Sequence, residues 1–477
     1  MAEESVKTEE VVVVAVTDVP EAEKDTAPPP LSTEETKNVV ESGPFKEETN
    51  VVDELPHPQK LALDEIKKLV RQGLQKHDFT EPPVVEEVVK EEAVMCESEV
   101  DVGSSEGVVV DKVETVEAIQ ETVVVEASPE PLTPPPPPEE VSLWGIPLLA
   151  DERSDVILLK FLRARDFKVK EAFAMLKSVV AWRKEFGIEE LLDQDFGSEV
   201  KKAVFMHGVD KEGHPVCYNA FGEFSNKELY QNTFADEVKR TKFLRWRIQF
   251  LEKSIRKLDF SPDGISTIVQ VNDLKNSPGF FAKELRQATN QALQLLQDNY
   301  PEFVAKQVVV NASWWYLAFY KMISPFFTQR SKSKFVFVGP SKSTETLFKY
   351  IAPEQVPVEF GGLSRQGEEE FGSGEAVTEE MIKAACKHTI EIPVTETCVS
   401  VWEAKVVGWD VSYGAEFVPV EGYTIMVEKA RKVGFSDEAV MCGRYKCSEP
   451  GKLILTLDNQ TSKKKKVLYR SKTKAAE

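Results

Sequence analysis

Short, wholly apolar runs that alternate with helical patterns are the feature of this sequence that most constrains its fold. Residues 308–310 read Val-Val-Val, and residues 335–338 read Phe-Val-Phe-Val. Strands that are buried on both faces have this composition, and their alternation with helices implies that they pair in parallel. The pattern predicts an α/β domain, with strands at 265–271, 307–310 and 335–338 and helices at 281–297, 314–327 and 344–351.

Two further helical regions precede this alternation. Residues 154–187 carry two helical patterns, the second ended by Gly187, and predict a small helical bundle. Apolar residues recur at helical spacing from Leu244 to Leu258 and predict one long helix. We therefore expect the bundle to lead into the α/β domain.

The predicted helix at 314–327 is apolar on nearly every side. At about 14 residues it is too short to cross a bilayer, which takes roughly 20. Such a helix can lie wholly in the core, or it can cover an apolar ligand cavity with one side while the other meets a membrane. We expect the second arrangement, a gate with Pro325 as its hinge. The expected gate residues are Trp314, Trp315, Leu317, Phe319, Tyr320, Met322, Ile323, Phe326 and Phe327.

Residues 1–140 are strongly acidic, with about 35 acidic and about 11 basic side chains, so the rest of the chain is close to neutral. Their proline clusters and scarcity of aromatic residues predict a disordered arm, because too little apolar surface can be buried to offset the ordering entropy. Residues 59–79 are an exception, since Leu63, Ile66, Val70 and Leu74 recur at helical spacing. This segment is either a transient helix or one that docks on a partner or a membrane.

The C-terminal region predicts an all-β unit. β-rich runs at 389–394, 398–407, 423–429, 452–457 and 466–470 are separated by turn residues, which indicates a small antiparallel sandwich. The predicted domains are the arm at 1–140, the helical part at 141–200, the α/β part at 201–365, and the linker and sandwich at 366–477.

Sequence motifs for catalysis are absent. The chain has no nucleophile elbow, no zinc-protease motif and no complete phosphate-binding loop. Its five histidines and six cysteines lack metal-ligand spacing, so we expect no metal, no cofactor and no enzyme activity, and reduced thiols. The N-terminus has no signal-peptide pattern and no apolar run has membrane-spanning length, which predicts a cytoplasmic protein.

Seven short motifs follow one another along the chain. They are Leu158-Leu-Lys-Phe-Leu-Arg-Ala-Arg-Asp-Phe167, Trp182-Arg-Lys-Glu-Phe-Gly187, Asp210-Lys-Glu-Gly-His-Pro-Val216, Asn272-Asp-Leu-Lys275, Asn299-Tyr-Pro-Glu302, Val310-Asn-Ala312 and Glu359-Phe-Gly-Gly362. In both content and order they resemble the CRAL-TRIO family of lipid-transfer proteins. The segments Lys452-Leu-Ile-Leu-Thr-Leu-Asp458-Asn459 and Val467-Leu-Tyr-Arg470 resemble a GOLD β-sandwich. An acidic arm, a CRAL-TRIO unit and a GOLD unit in this order resemble the plant patellins.

The resemblance implies a lipid headgroup site. In phosphatidylinositol-binding relatives the positions that match Arg165, Glu302, Ser331 and Lys334 surround the inositol phosphate. This assignment is physically consistent, because a buried phosphate requires cationic donors, while Glu and Ser can hydrogen-bond inositol hydroxyls. The alternative is that Arg165 and Glu302 form ordinary ion pairs.

Other positions depart from the pattern of these relatives. Asp166 stands where phosphatidylinositol binders tend to have lysine. Met206, Cys217, Ile268 and Gln270 stand where phosphatidylcholine binders have hydroxyls, so phosphatidylcholine is not expected as a ligand. A sterol, a tocopherol or another prenyl lipid stays open.

The run Lys463, Lys464, Lys465 and Lys466 predicts a basic hairpin loop that binds a membrane surface, the alternative being a solvated loop without a partner. No aromatic residues alternate with these lysines, so nucleic acid is not an expected partner.

The resemblance implies a peripheral membrane protein that binds phosphoinositides and carries a hydrophobic lipid, with a role in membrane trafficking and in cell-plate formation during cytokinesis. An alternative is a trafficking adaptor that recruits proteins through its GOLD domain and acidic arm and uses the pocket as a lipid sensor.

Overall fold

A computed structural model of the protein describes residues 39–41, 47–79, 137–278, 282–313, 316, 329–365, 367, 370–408, 410–434 and 440–475. Its helices are α1 His57–Lys76, α2 Glu152–Arg163, α3 Val169–Phe186, α4 Ile188–Leu192, α5 Lys227–Phe234, α6 Glu237–Ile255, α7 Lys283–Asn299, α8 Gln329–Lys334 and α9 Ser343–Tyr350. The strands of its N-terminal part are β1 Val39–Glu41, β2 Ser142–Leu143, β3 Ile146–Pro147, β4 Val204–Val209, β5 Pro215–Ala220, β6 Ile268–Asp273, β7 Val304–Val310 and β8 Phe335–Val338.

The central sheet has the strand order β1-β8-β7-β6-β5-β4. The four strands β5 to β8 pair in parallel, whereas β4 and β1 add antiparallel edges. The predicted α/β architecture is therefore confirmed. Parallel strands are buried on both faces, which explains why β7 and β8 read as continuous apolar runs.

The two faces of this sheet have different neighbours. Val216, Tyr218 and Val271 share a core with Leu347 of α9 and with Leu468 of the C-terminal region. On the opposite face, residues at the alternate positions of β5 and β6 meet the helices of the N-terminal bundle.

Helix α1 belongs to the folded unit. Its residues Leu63, Ile66 and Val70 are buried in the same core as α2 and α3, and burial of each side chain contributes about 1.5–3 kcal/mol. The amphipathic helix predicted near residues 59–79 is thus a packed element. The expectation of disorder over residues 1–140 does not hold for residues 47–79, because their apolar stripe meets the bundle formed by residues beyond 150.

The bundle is fixed by caps and by one buried ion pair. The Asp151 side chain accepts a hydrogen bond from the backbone of Arg153 and caps α2, and Gly187 ends α3 in the left-handed conformation. Arg183 of α3 donates to Glu252 of α6 at 2.5 and 3.0 Å. These contacts hold α3 against the long helix α6.

The C-terminal region is a sandwich of two antiparallel sheets, with strand orders β10-β15-β12-β13 and β14-β11-β16-β9. Its strands are β9 Thr378–Ile382, β10 Cys386–Val394, β11 Cys398–Val407, β12 Val411–Pro419, β13 Ile425–Val433, β14 Met441–Cys447, β15 Gly451–Asn459 and β16 Lys465–Ala475. Trp402 donates to the Tyr413 hydroxyl at 2.7 Å inside the core. The predicted sandwich is confirmed, and β9, β12 and β14 are strands that the sequence pattern did not indicate.

The sandwich is bonded to the α/β part through buried charges. Glu403 on β11 accepts a hydrogen bond from Arg470 Nε at 2.6 Å and pairs with Arg365. Lys405 Nζ donates to the Val358 carbonyl at 2.7 Å. The two parts are therefore packed against each other.

Candidate functional site

Three cations and three carboxylates, among them Glu302, line one small space where β6 and β7 begin. Lys160 and Arg163 come from α2, Lys334 ends α8, and Glu302 precedes β7. Lys334 Nζ donates to Glu302 Oε2 at 2.5 Å. We call Lys160, Arg163 and Lys334 the cationic cluster.

Lys160 is the innermost member of the cluster. It is 2% exposed, and its Nζ donates to the carbonyl oxygens of Ser266 at 2.9 Å and Glu302 at 3.0 Å. Burial lowers the pKa of Lys160 to about 7, although Glu47 acts in the opposite direction. Near neutral pH its charge therefore responds to any anion brought close to it.

The backbone at Glu302 is strained. Its φ of 55° lies in the left-handed region, which costs a residue other than glycine about 1 kcal/mol or more. In this conformation the Glu302 carbonyl accepts from Lys160 while its side chain accepts from Lys334. One residue thus connects two members of the cationic cluster.

The segment from Glu47 to Asn50 lies against the cluster and neutralises it. Arg163 Nε pairs with Glu48 Oε2 at 2.8 Å, and the Arg163 guanidinium donates to the Thr49 carbonyl at 2.5 Å and to Asn50 Oδ1 at 2.6 Å. The remaining space is about 20 Å³, room for about one water molecule. The site is therefore filled by the chain's own acidic segment in this conformation.

His214 holds Glu47 in place. Its Nε2 donates to Glu47 Oε2 at 2.8 Å and its Nδ1 to the Asp210 carboxylate at 3.1 Å. Burial alone would lower the pKa of His214, but the hydrogen bonds to Asp210 and Glu47 outweigh it and raise the pKa to about 10. Burial likewise opposes ionisation of Glu47, yet hydrogen bonds from His214 and Thr267 leave the pKa of Glu47 lowered. This ion pair is charged at neutral pH.

Of the four headgroup residues implied by the resemblance, the structure brings Glu302 and Lys334 together. Arg165 follows the end of α2 and donates to the Ala164 carbonyl at 2.9 Å, and it does not line the space around the cluster. The side chain of Ser331 lies outside the described residues, as do all nine expected gate residues.

The four-lysine run is divided between a loop and a strand. Lys463 and Lys464 are exposed in the connection between β15 and β16. Lys465 is buried in β16 and donates to the Gly408 carbonyl at 3.2 Å, whereas Lys466 pairs with Glu379 at 2.5 Å. Only the first two lysines are available to a surface without breaking such contacts.

A larger groove of about 1320 Å³ opens at the other end of β5 and β6, away from the cationic cluster. Its lining combines aromatic rings and lysines, among them Phe205, Trp246, Phe250, Lys253 and Lys275. The groove meets the sheet at Ala220 and Asp273, the last residues of β5 and β6.

Sequence reasoning missed Lys160, Arg163 and the Glu47 segment. A signal existed for the first two, since an i, i+3 pair on a helix lies on one face, and both precede Arg165 in the same motif. Glu47 gave none, because its partner Thr267 is 220 residues away. Among the described residues no helix has both the length and the apolarity to cross a bilayer.

Comparison with known proteins agrees with this architecture. The family model "CRAL/TRIO domain" matches residues 199–362, "CRAL/TRIO, N-terminal domain" matches residues 114–178, and "Patellin-1-like, C-terminal GOLD domain" matches residues 383–465.

Individual relatives extend the comparison. Patellin-3 of Arabidopsis thaliana is 51% identical over 94% of this chain and 82% of its own length. The SEC14 cytosolic factor of Eremothecium gossypii is 33% identical over 46% of this chain and 72% of its own length. The protein in the crystal structure of Sfh5 has 24% sequence identity to this chain and a TM-score of 0.37. The match covers 46% of this chain and 74% of the Sfh5 chain. The length and identity of the first match show that this chain belongs to the patellin family, with a CRAL-TRIO domain followed by a GOLD domain.

Proposed function

We propose that this CRAL-TRIO lipid-binding protein carries one lipid with an anionic headgroup of the phosphatidylinositol type, and exchanges it at a membrane surface. The observation that carries the proposal is that Lys160, Arg163, Lys334 and Glu302 line one space, in which Lys334 pairs with the Glu302 carboxylate and Lys160 donates to its backbone carbonyl. The cations suit the phosphate, and Glu302 can accept hydrogen bonds from inositol hydroxyls. Arg165 and Ser331 remain proposed members of this headgroup site.

The charge balance of the cluster supports an anionic ligand. Lys160, whose pKa is lowered to about 7, carries only part of a charge, so the cluster leaves at least one positive charge uncompensated by Glu302 once Glu47 and Glu48 move away. A phosphodiester carries one negative charge and offsets that charge when it takes the place of these carboxylates. The Glu48 side chain is 44% exposed, which makes it the easier of the two to displace.

Exchange of the lipid requires a route that keeps its tails out of water. Burial of hydrocarbon contributes about 0.8 kcal/mol per methylene, so a two-chain lipid leaves its bilayer only for a continuous apolar cavity. We propose that the apolar segment from Trp314 to Phe327 opens against the membrane as the gate over such a cavity.

Reversal of one charge in the cluster tests the headgroup assignment. Full-length Lys334→Glu should take up at least about tenfold less phosphatidylinositol from vesicles than the parent protein, because it places a second carboxylate beside Glu302. Lys227→Glu, at an exposed site on α5, is the matched control. Unchanged phosphatidylinositol uptake by Lys334→Glu would refute the assignment, whereas retained uptake of tocopherol or a sterol would show that the cavity itself is intact.

The GOLD domain is proposed to add a membrane contact. Lys463 and Lys464 attract anionic headgroups with about 1 kcal/mol each, so their replacement by alanine should weaken sedimentation with phosphoinositide vesicles. Equal sedimentation of variant and parent would show that these lysines do not contribute to the membrane contact.

In the cell we propose a cytoplasmic, peripheral membrane protein that acts in membrane trafficking and in cell-plate formation during cytokinesis.

A second candidate function is that of a trafficking adaptor, and the edge of the GOLD sandwich favours it. The edge strand β13 and the loop before it expose large apolar side chains, with Tyr423 93% and Met426 70% exposed. Apolar side chains on an unpaired edge suit the addition of a partner's strand. Loss of partner binding in Met426→Lys, with lipid uptake intact, would favour this function.

A further inference from the structure

A row of polar side chains crosses the sheet face that lies opposite to the GOLD domain. Cys217 on β5 lies beside Gln270 on β6, which lies beside Gln307 on β7. Two residues further along β5 and β6, Asn219 lies beside Asn272. These residues share one face because alternate side chains of a strand point the same way. An amide-rich row is unusual in the middle of a parallel sheet, whose strands are ordinarily apolar on both faces.

The row forms a chain of hydrogen bonds in one direction. Arg247 Nη2 donates to Asn219 Oδ1 at 3.3 Å, and Asn219 Nδ2 donates to Asn272 Oδ1 at 2.9 Å. Asn272 Nδ2 in turn lies 3.5 Å from Gln307 Oε1. Each step uses an amide oxygen as acceptor, so the capacity that remains at the ends of the chain is that of N–H donors.

Arg247 is the strongest of these donors and is incompletely paired. It is 8% exposed, and its Nη1 has no hydrogen-bond partner. In the part of the chain that the structure describes, no carboxylate forms an ion pair with it. The Cys217 thiol contacts it, but burial raises the pKa of this thiol, so the sulfur is no counterion. The guanidinium lies over the Phe250 ring, 5.4 Å from its centroid, so Nη1 is the donor that is left for an anion.

Gln270 adds a further polar side chain to the same face of the sheet. The residue is 9% exposed, is the sheet partner of Cys217, and its side-chain amide makes no hydrogen bond to any described residue. Its amide therefore keeps its donors for a ligand on the face that also carries Asn219.

We infer that Arg247, together with Asn219, Gln270 and Asn272, forms a subsite for the acidic group of a lipid, a carboxylate or a phosphate, held against this face of the sheet. The inference rests on the proposed function in that the same domain holds a lipid. It deepens that proposal by naming a second headgroup position and the class of ligand that uses it.

This subsite is separate from the cationic cluster. Thr267 lies beside the cluster at the start of β6, and Asn272 lies five residues further along the strand, which corresponds to about 16 Å. A lipid whose acidic group reaches Arg247 therefore lies with its head at the opposite end of the sheet. The planar guanidinium of Arg247 can bind either a carboxylate or a phosphate with two parallel hydrogen bonds.

A comparison of matched single-chain lipids tests the subsite. Full-length protein is titrated with a fluorescent fatty acid, a lysophosphatidic acid and the uncharged long-chain alcohol of the same length. Arg247→Gln should weaken binding of an acidic probe at least about tenfold and leave the alcohol within about twofold. If Arg247→Gln loses binding of the fatty acid alone, the subsite takes a carboxylate. If it loses binding of lysophosphatidic acid, the subsite takes a phosphate. Lys242→Gln, at an exposed site on the same helix, is the control for charge alone.

A second variant protects the test against a folding defect in the first. Asn219→Asp places a carboxylate next to Arg247, so it should raise the melting temperature while it removes the preference for acidic probes over the alcohol. An unchanged preference for the acid in both variants would overturn the subsite.

Failure of the Arg247 subsite can be told apart from failure of the proposed function. If phosphatidylinositol uptake remains sensitive to Lys334→Glu while Arg247→Gln has no effect on any acidic probe, the cationic cluster stands and the Arg247 subsite is wrong. If no single-chain probe binds the parent protein while phosphatidylinositol uptake persists, the Arg247 subsite is wrong and the cationic cluster stands. If the parent protein takes up no phosphatidylinositol either, both proposals are wrong.

Discussion

At the scale of single residues, Glu252 shows how buried charge holds the bundle together. It is fully buried, accepts two hydrogen bonds from Arg183, and accepts a third from the Tyr300 hydroxyl at 2.7 Å. Glu252→Leu should lower the free energy of unfolding by about 3–5 kcal/mol, because the buried Arg183 then keeps only the exposed Glu189, 3.8 Å away, as a counterion. Urea unfolding of both proteins measures this difference.

Glu189 provides the matched control for that change. It lies 3.8 Å from Arg183 and 2.6 Å from Arg256, but its side chain is 68% exposed. Glu189→Gln should therefore change stability by less than about 1 kcal/mol. If both variants lost the same free energy of unfolding, the burial of Glu252 would not explain its contribution to stability.

His214 predicts a specific dependence of stability on pH. Its folded pKa of about 10 is above its ordinary value of 6.5, so its contribution is complete below pH 6.5 and is lost as the pH rises toward 10. Lys160 has the opposite effect on stability. Its pKa is lowered to about 7, so the cost of burying its charge falls as the pH rises above 7. Lys160 is present in both the parent protein and His214→Asn, so the difference in stability between the two proteins reports on His214.

We expect the stability advantage of the parent protein over His214→Asn to shrink by a few kcal/mol between pH 6 and pH 10. Unfolding measured in urea at several pH values tests this. An advantage that stays constant with pH would mean that His214 is not charged in the folded protein.

At the residue scale, the motifs brought two of the four expected headgroup residues into one place, while their role as headgroup ligands stays a prediction. Glu302 and Lys334 were expected together and lie 2.5 Å apart. Arg165 was chosen from the same motif as Lys160 and Arg163, but α2 ends at Arg163, so Arg165 falls in the turn that follows. The point where a helix ends decides which side chains share its face, and the sequence pattern locates such ends only within a few residues.

At the scale of elements, we propose that the segment from Glu47 to Asn50 competes with a lipid headgroup for the cationic cluster. Glu48→Gln removes the carboxylate that pairs with Arg163, and Gln at this exposed position is easily solvated. We expect the variant to take up phosphatidylinositol from vesicles severalfold faster than the parent protein. Asp53→Asn, in the same exposed stretch but outside the cluster, should have no effect. Slower or unchanged uptake by Glu48→Gln would contradict competition.

Secondary structure was predictable where periodicity was strong and not elsewhere. The strand expected at 335–338 is β8, and the helix expected at 281–297 is α7, shifted by two residues. β14 was missed because its sequence Met-Cys-Gly-Arg-Tyr-Lys-Cys alternates polar residues with few apolar ones. Helix α1 was seen, but its stability comes from tertiary packing that no local pattern reveals.

At the scale of the whole molecule, Glu403 connects the CRAL-TRIO and GOLD domains. It is fully buried between Arg365, which follows the α/β part, and Arg470 on β16. Glu403→Gln should leave two cations close together and separate a single cooperative unfolding transition into two, with the first at a lower temperature. Scanning calorimetry measures this. One transition at an unchanged temperature would show that the domains are not coupled through Glu403.

The most direct test of the account is native mass spectrometry of the full chain, purified without detergent and then incubated with vesicles that contain phosphatidylinositol. The account predicts a mass increase of one phosphatidylinositol per chain in the parent protein and in Lys227→Glu, and a much smaller bound fraction in Lys334→Glu. A parent protein that remains lipid-free, or a Lys334→Glu variant that binds phosphatidylinositol equally well, would contradict it.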